Sequence, residues 1–295
     1  MRILLTGASG QVGGALRFPL AAIGTVLAVD RSQLDLSLPD MIPGVLVEVG
    51  PDLIINPAAF TAVDRAEDEV EIAYRVNAEA PRQIAAWASA QGIPLIHFST
   101  DYVFDGSGER PWREQDPTGP LSVYGASKVA GEVAIREALG PHLIVRTSWV
   151  YAAQGTNFLK TIVRLSRERT ELRIVADQIG APTPARLVAQ IVTTIIEQCR
   201  SDMRARFTDA GGVVHVTTSG ETSWHGFASA IVDRLKSRGD RLEVKSIIPI
   251  RTQDYAAKAC RPHNSRLDLA HLNQQFGIVP PAWEDALTTE LVHIS

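Results

Sequence analysis

Short apolar runs alternate with longer, helix-like stretches through the first half of the chain, and this alternation constrains the fold most strongly. The strand-length apolar runs lie at residues 2–6, 25–29, 52–56, 94–99 and 142–146. Between them, residues 71–91 and 123–139 have the composition and stop signals of helices. Strands that are apolar throughout and separated by helices pair in parallel, in a sheet covered on both faces. The pattern therefore predicts an α/β fold with a doubly wound parallel sheet.

The pattern loosens after about residue 150. Helices are predicted at residues 156–169, 184–198 and 223–236, and strands at residues 172–176 and 213–217. No Gly/Ser-rich linker separates these segments from the first half. We predict a dinucleotide-binding Rossmann domain over residues 1–150 and a smaller C-terminal substrate-binding lobe over residues 151–295. The boundary is soft, because later segments can return to the first sheet.

Composition narrows the class of protein. The 295 residues carry a net charge of −4 and are 45% hydrophobic, which excludes a polybasic nucleic-acid binder and suggests no membrane surface. The longest apolar run, residues 18–29, is shorter than the ~18 residues needed to cross a bilayer. Cys199 and Cys260 cannot form a disulfide framework. We expect a cytoplasmic enzyme with neither nucleic-acid nor membrane partners.

A glycine-rich loop joins the first predicted strand to the first predicted helix. Gly7, Gly10 and Gly13 have the spacing G-x-x-G-x-x-G. Glycine permits the tight turn and the close approach of the backbone to a diphosphate, which the free amides of a helix N-terminus then face. Because the loop stands between a strand and a helix, it predicts NAD or NADP binding rather than a merely structural turn.

Asp30 and Arg31 follow the second predicted strand. An acid there accepts hydrogen bonds from the adenosine ribose hydroxyls, whereas an arginine there meets a 2′-phosphate. Having both residues leaves the choice between NADH and NADPH open, and a plain surface ion pair is the alternative.

Tyr124 and Lys128 are four residues apart in a predicted helix, which places both side chains on one face. A phenol with a pKa of ~10 is a poor acid at neutral pH, but an ammonium ~4 Å away at an effective dielectric of ~20 stabilises its anion by roughly 4 kcal/mol. Thr100 ends the fourth predicted strand, at the edge where parallel sheets bind ligands. The spacing of Tyr124 and Lys128 alone is common by chance, but with Thr100 and the glycine loop it predicts carbonyl reduction.

These motifs resemble those of the extended short-chain dehydrogenases/reductases, and most closely the dTDP-4-dehydrorhamnose reductase family. Further segments that carry the resemblance lie at residues 56–64, 146–151, 177–183 and 261–266. The likeness runs in order from residue 1 to about residue 285, and the last two segments are the most specific, because general dehydrogenases lack them. The resemblance implies reduction of dTDP-4-dehydro-L-rhamnose to dTDP-L-rhamnose by NADPH or NADH, in dTDP-L-rhamnose biosynthesis, with Tyr124 as proton donor.

The resemblance also implies a role for individual residues. Catalysis would use Thr100, Tyr124 and Lys128, of which the last two also face the nicotinamide end of the cofactor. The rest of the cofactor would lie against Gly7, Gly10, Gln11, Val12, Gly13, Asp30, Arg31, Asp35, Leu36, Ala58, Ala59, Phe60 and Thr61. The sugar nucleotide would contact Thr100, Asp101, Tyr102, Trp149 and Arg261.

The sequence departs from this family at two positions that bear on metal binding. Members that bind magnesium at a dimer interface use glutamates where this chain has Ala15 and Arg186. Alanine cannot ligate a hard cation and arginine repels one, so we expect no metal site. A homodimer would then depend on other contacts.

Two alternatives stay open. Nothing in the composition specifies thymidine, so the substrate could be a different nucleotide-linked 4-keto sugar. A non-catalytic dinucleotide-binding regulatory subunit, of the methionine adenosyltransferase type, would keep the same fold. The intact set of Thr100, Tyr124 and Lys128 disfavours this second alternative, because a pure binder needs no proton donor.

Overall fold

The protein is described by a computed structural model that covers residues 1–294. The strands are β1 (Arg2–Leu5), β2 (Thr25–Ala28), β3 (Leu53–Asn56), β4 (Leu95–Thr100), β5 (His142–Thr147), β6 (Val150–Tyr151), β7 (Glu171–Val175), β8 (Ile179–Gly180), β9 (Thr183–Pro184), β10 (Val213–His215), β11 (Thr222–Ser223) and β12 (Ser246–Ile250). The α-helices are α1 (Gln11–Ala21), α2 (Ile42–Val49), α3 (Val63–Ala66), α4 (Val70–Tyr74), α5 (Ala80–Gln91), α6 (Val123–Glu137), α7 (Phe158–Glu168), α8 (Ala185–Cys199), α9 (Met203–Asp209), α10 (Trp224–Arg238), α11 (Ala270–Phe276) and α12 (Trp283–Leu291).

The main sheet is parallel throughout, with the strand order β10-β5-β4-β3-β1-β2. Helices cover both faces, which is why β3 and β4 are buried along their whole length. Ile3 and Leu5 pack with α1 and α8 on one face, whereas Leu4 and Ile54 pack with α2, α5 and α6 on the other. The predicted doubly wound, Rossmann-like fold is confirmed.

The second half of the chain builds a separate core and also returns to the first sheet. Helices α7, α10 and α12 pack around Leu159, Phe227 and Leu287, beside the parallel pair β7 and β12. In contrast, α8 covers one face of the main sheet and β10 extends its edge. The division near residue 150 stays a prediction. No helix within residues 1–294 is both long and apolar enough to cross a membrane.

A π-helical turn at Arg75–Glu79 lies between α4 and α5, inside the stretch that the sequence pattern predicts as one regular helix. Pro81 has no N–H, and its ring crowds the carbonyl of the residue four positions earlier, Asn77. A wider turn relieves this crowding. The Asn77 carbonyl lies against Gly131 of α6, where any side chain would overlap it. The π-helical turn therefore lets this helical stretch pack closely against α6.

Candidate functional site

The glycine loop turns the chain from β1 into α1. Gly7 has a φ of +55°, and a Cβ there would lie 2.9 Å from the Cα of Ala58, so only glycine fits. A Cβ on Gly13 would overlap the Gly7 carbonyl. Gly10 begins α1 without a side-chain cap, which leaves the first-turn amides open to an anion. Among residues 1–294, the buried Oε1 of Gln11 has no hydrogen-bond partner. This cradle fits the diphosphate of a dinucleotide.

Asp30 and Arg31 lie in the turn after β2. One carboxylate oxygen of Asp30 accepts hydrogen bonds from the Ser32 amide at 2.8 Å, the Ser32 hydroxyl at 2.6 Å and the Gln33 amide at 3.2 Å. The bonds from Ser32 lower the pKa of Asp30. The side chain of Arg31 is 80% exposed and reaches Asp35 at 3.2 Å. The turn thus holds Asp30 in place and presents Arg31 to solvent, a geometry compatible with either cofactor.

Asn77 holds the segment that follows β3. Its Oδ1 accepts a hydrogen bond from the Phe60 amide at 2.8 Å, and its Nδ2 donates to the Phe60 carbonyl at 3.1 Å and to Ser127 Oγ at 3.0 Å. Asn77 is fully buried, and Ser127 lies on α6. One amide therefore ties residues 58–61 to the helix that carries Tyr124. Asn77 was not predicted from the sequence, although a short polar residue inside a predicted alanine-rich helix was the available signal.

Thr100 and Tyr124 come together at the end of β4. The hydroxyl of Thr100 donates to Asp101 Oδ1 at 3.0 Å and accepts from the Tyr102 amide at 3.2 Å. Burial raises the pKa of Tyr124, while a hydrogen bond with the Thr100 side chain acts in the opposite direction. The rings of Tyr102 and Tyr124 meet edge to face, with their centroids 5.6 Å apart. The structure therefore places these predicted residues side by side.

Asp101 is an acid held almost entirely out of water. Burial raises the pKa of its carboxyl to about 6, against the effect of hydrogen bonds from Ser265 and Thr100. Its Oδ2 has no hydrogen-bond partner in the part of the chain that the structure describes. Because Ser265 belongs to the segment 261–266, this carboxyl connects the C-terminal region to the edge of the main sheet.

Lys128 brings a buried cation to the same place. Its Nζ donates to the Phe98 carbonyl at 2.6 Å and lies 3.1 Å from His97 Nε2. Burial lowers the pKa of Lys128 to about 8, and the negative charge of Glu132, one turn further along α6, opposes that effect. Lys128 therefore stays largely protonated near neutral pH. Its contact with His97 was not predicted from the sequence.

An ion pair locks α6 onto the sheet. Arg146 on β5 donates to the carboxylate of Glu132 at 2.8 and 2.6 Å, and both side chains are buried. Burial alone would raise the pKa of Glu132, but the hydrogen bonds and charge of Arg146 bring it below the usual value. Glu132 lies one helical turn beyond Lys128. The Arg146–Glu132 ion pair therefore fixes the position of Lys128 along the direction of the strands.

Trp149 has a strained backbone and lies in an aromatic stack. Its φ is +47°, a conformation rare for a bulky residue, and its ring stacks on Trp224 with the centroids 3.7 Å apart. Gly180 provides the room, because a Cβ there would lie 2.6 Å from the Trp149 ring. Strain of this kind is retained where surrounding contacts over-determine it, often at functional sites.

Arg261 is held against the N-terminal half of the chain by Asp64. Two nitrogens of Arg261 donate to the Asp64 carboxylate at 2.7 and 3.1 Å. The amides of Lys258 and Ala259 donate to the same carboxylate. The hydrogen bond with Arg261 lowers the pKa of Asp64. Burial alone would lower the pKa of Arg261, but the hydrogen bond with Asp64 raises it above the usual value. The contact also brings Arg261 close to Tyr102.

Ala15 and Arg186, the two residues that argue against a magnesium site, both have defined surroundings in the structure. Ala15 packs against the core, and Arg186 Nε lies 3.6 Å from Glu290 Oε2. The other oxygen of Glu290 accepts a hydrogen bond from the Ala153 amide at 2.8 Å. Residues 1–294 contain no group of three or more His, Cys, Asp or Glu side chains arranged to hold a metal ion. That no magnesium binds stays a prediction.

A doubly wound parallel sheet, a glycine loop after β1 and a buried Thr–Tyr–Lys set define the class of a Rossmann-type short-chain dehydrogenase/reductase. The family model of the RmlD substrate binding domain matches residues 1–295. The chain belongs to this family.

Relatives with known names support the same conclusion. The chain is 45% identical to the dTDP-4-dehydrorhamnose reductase of Burkholderia thailandensis, over 97% of each protein. A crystal structure of a dTDP-4-dehydrorhamnose reductase from Clostridium acetobutylicum is 34% identical, with a TM-score of 0.89 over 99% of both chains. The enzyme of Bacillus anthracis in complex with NADP is also 34% identical, with a TM-score of 0.88 over 99% of this chain and 98% of that one. The resemblance to this reductase family is thereby confirmed.

Proposed function

We propose that the chain reduces dTDP-4-dehydro-L-rhamnose to dTDP-L-rhamnose with NADPH or NADH, as a step of dTDP-L-rhamnose biosynthesis in the cytoplasm. The observation that carries the proposal is the buried set of Thr100, Tyr124 and Lys128 at the carboxyl edge of the sheet. It occurs in a chain that matches named reductases along nearly its whole length. The relative with bound NADP supports the choice of cofactor class.

The glycine loop and the turn after β2 would hold the cofactor. The open amides of α1 would bind the diphosphate, and the unpartnered Oε1 of Gln11 would accept a hydrogen bond from a ribose hydroxyl of the cofactor. The segment 58–61, held by Asn77, would line the opposite side. When bound, the reduced nicotinamide supplies the hydride that C4 of the sugar accepts.

Tyr124 and Thr100 would act on the oxygen of the sugar carbonyl. Tyr124 can donate to that oxygen, and Thr100 can do so once its hydroxyl turns away from Asp101. Negative charge develops on the oxygen as C4 becomes tetrahedral. Tyr124 gives its proton to the oxygen, which completes the alcohol and leaves a phenolate. Lys128 stabilises this phenolate, because its ammonium is held in a site where charges are weakly screened.

Asp101, Tyr102, Trp149 and Arg261 would bind the sugar nucleotide. Asp101 and Tyr102 directly follow Thr100, so they border the same position. Arg261 offers a guanidinium that suits a phosphate, once its contact with Asp64 is shared or exchanged.

A reductase assay tests the proposal. Purified protein is incubated with dTDP-4-dehydro-L-rhamnose and NADPH or NADH, and the product is identified by chromatography and NMR. We expect dTDP-L-rhamnose to form in step with cofactor oxidation. The same assay with UDP-linked 4-keto sugars tests the alternative substrate. Cofactor binding without turnover of any of these sugars would favour the regulatory alternative.

A further inference from the structure

A row of buried polar side chains runs from Lys128 across the sheet to the glycine loop. Lys128 Nζ lies 3.1 Å from His97 Nε2, and His97 Nδ1 lies 3.1 Å from Asn56 Nδ2. Thr6 Oγ1 lies 2.6 Å from Asn56 Oδ1, and Thr6 directly precedes Gly7. The four side chains are at most 2% exposed. They come from α6, β4, β3 and the end of β1, so the row passes beneath the edge where the cofactor would lie.

The charge of Lys128 fixes the direction of these hydrogen bonds. An ammonium can only donate, so Nε2 of His97 must accept from it. His97 is neutral, since burial and the charge of Lys128 lower its pKa well below the ordinary value. A neutral imidazole that accepts at Nε2 carries its hydrogen on Nδ1. The Asn56 amide then turns its carbonyl oxygen to Nδ1 and its nitrogen to Thr6, an exchange of two groups of nearly equal size.

These bonds leave one donor of Lys128 for the site. An ammonium has three N–H groups, and the Phe98 carbonyl and His97 Nε2 take two of them. The remaining N–H can donate to the cofactor, while the positive charge acts on Tyr124. Without the acceptor on His97, the ammonium could rotate and shift about the single contact to Phe98.

We propose that His97 is a positioning residue for the reduction: as a neutral Nδ1–H imidazole, anchored by Asn56, it holds the ammonium of Lys128 in the orientation that catalysis requires. His97 itself touches neither substrate nor cofactor. The inference builds on the proposed reductase function for its kinetic test, but its structural claim is independent of that function.

Two substitutions separate the two contacts of the imidazole. His97→Gln places a side-chain oxygen near the position of Nε2 and keeps an acceptor for Lys128. In His97→Asn, the shorter side chain extends only to the position of Nδ1. It keeps a hydrogen-bond partner for Asn56 but loses the hydrogen bond to Lys128. We expect kcat to fall about tenfold or more in His97→Asn, the effect of losing one directed hydrogen bond on a catalytic group. We expect His97→Gln to stay within about threefold of the parent.

His142 supplies the matched control. It lies at the opposite, amino-terminal end of β5, and its Nδ1 faces the Gly140 carbonyl. His142→Asn and His142→Gln should both keep the parental kcat. Equal kcat values for His97→Gln and His97→Asn, whether both are slow or both are fast, would overturn the inference. An inactive parent would instead contradict the proposed function.

The tautomer of His97 gives a test that needs no activity. In protein labelled with ¹⁵N-histidine, the ring signals of His97 are assigned by their loss in His97→Gln. We expect the hydrogen on Nδ1 and an unprotonated Nε2 in the parent near neutral pH. A hydrogen on Nε2, or a doubly protonated ring, would overturn the inference even if the kinetic pattern held.

Discussion

Tyr124 is the residue on which the proposed reaction depends most directly. Burial raises the pKa of its phenol, which by itself would make Tyr124 a weaker acid. A hydrogen bond with the Thr100 side chain opposes that effect, and Lys128, on the same face of the helix, brings an ammonium to the same site. The reactivity of the phenol therefore depends on its neighbours more than on its own exposure.

Replacing Tyr124 by phenylalanine should separate binding from chemistry. We expect Tyr124→Phe to lower kcat about 10²-fold or more, because the proton donor is lost while the ring remains. The dissociation constant for NADPH, from fluorescence titration, should change less than about twofold. Tyr151→Phe is the control, since the buried Tyr151 hydroxyl has no partner within residues 1–294. An unchanged kcat in Tyr124→Phe would contradict the assignment.

The ionisation of Lys128 should set the alkaline limit of activity. Its pKa of about 8 reflects burial, with His97 on β4 and Glu132 on α6 as neighbouring titratable groups. As pH rises through this value the ammonium becomes a neutral amine and no longer stabilises the phenolate. We therefore expect kcat/KM for NADPH to fall above about pH 8 with the slope of one ionisation. A flat profile up to about pH 10 would show that the charge of Lys128 is not required.

Arg31 should decide between the two cofactors, because Asp30 is already engaged with its own turn. A 2′-phosphate near the exposed guanidinium would gain a charge-assisted hydrogen bond that NADH cannot form. We expect Arg31→Ala to raise KM for NADPH about tenfold and to change KM for NADH less than about twofold. Arg200→Ala, at an exposed helix end, is the control. A parallel change in both KM values would contradict this role.

The sequence was sufficient to predict the site residues that belong to short motifs with a fixed spacing. The interval between Tyr124 and Lys128, the glycine spacing and the position of Thr100 at a strand end are all readable from the chain. Asn77 and His97 were not predicted, because their partners are 17 to 50 residues away. Their roles depend on which strands and helices become neighbours, and no short motif records that.

At the scale of elements, the π-helical turn at Arg75–Glu79 positions two segments that border the candidate site. It places Asn77 where its amide can bond both Phe60 and Ser127, and it brings the Asn77 carbonyl against Gly131. A regular helix would direct this side chain elsewhere. A single irregular turn therefore couples the segment after β3 to α6.

Removing the Asn77 amide should cost stability. Asn77→Ala leaves the buried Phe60 amide and Ser127 hydroxyl without this partner, and we expect the free energy of unfolding to drop by about 3 kcal/mol. Urea titration measures the loss. Asn273→Ala, at an exposed position of α11, should stay within about 0.5 kcal/mol of the parent. If both variants unfold at the same urea concentration, the Asn77 bonds contribute little.

At the scale of the molecule, the alternation of strands and helices was enough to predict the architecture. It did not predict which segments of the second half would pack on the main sheet. The sixth strand of the main sheet comes from Val213–His215, and α8 covers Ile3 and Leu5. These contacts arise because α1 covers only part of the face of β1 and β3 opposite α2 and α5, and the apolar side of α8 buries the rest. The sequence shows that α8 is amphipathic without showing which surface it covers.

Metal dependence concerns the molecule as a whole, and the ion pair of Arg186 and Glu290 bears on it. A hard divalent cation needs several oxygen ligands, and Glu290 already bonds the Ala153 amide and neighbours a guanidinium. We expect the reductase to work equally well with excess EDTA and with added magnesium, because in the proposed reaction Thr100, Tyr124 and Lys128 would supply the donors and the charge. We also expect the sedimentation coefficient to be the same under both conditions.

A substitution that restores the carboxylates sharpens this prediction. In Ala15→Glu combined with Arg186→Glu, new acids stand at the two positions where the resemblance implies glutamate in magnesium-binding members, and Glu290 loses its cationic neighbour. We expect magnesium to stabilise this variant against thermal unfolding and to leave the parent unchanged, because only a site with several carboxylates offsets the cost of dehydrating the ion. A reversible loss of activity or a change in sedimentation of the parent on chelation would show that the parent already binds a structural cation.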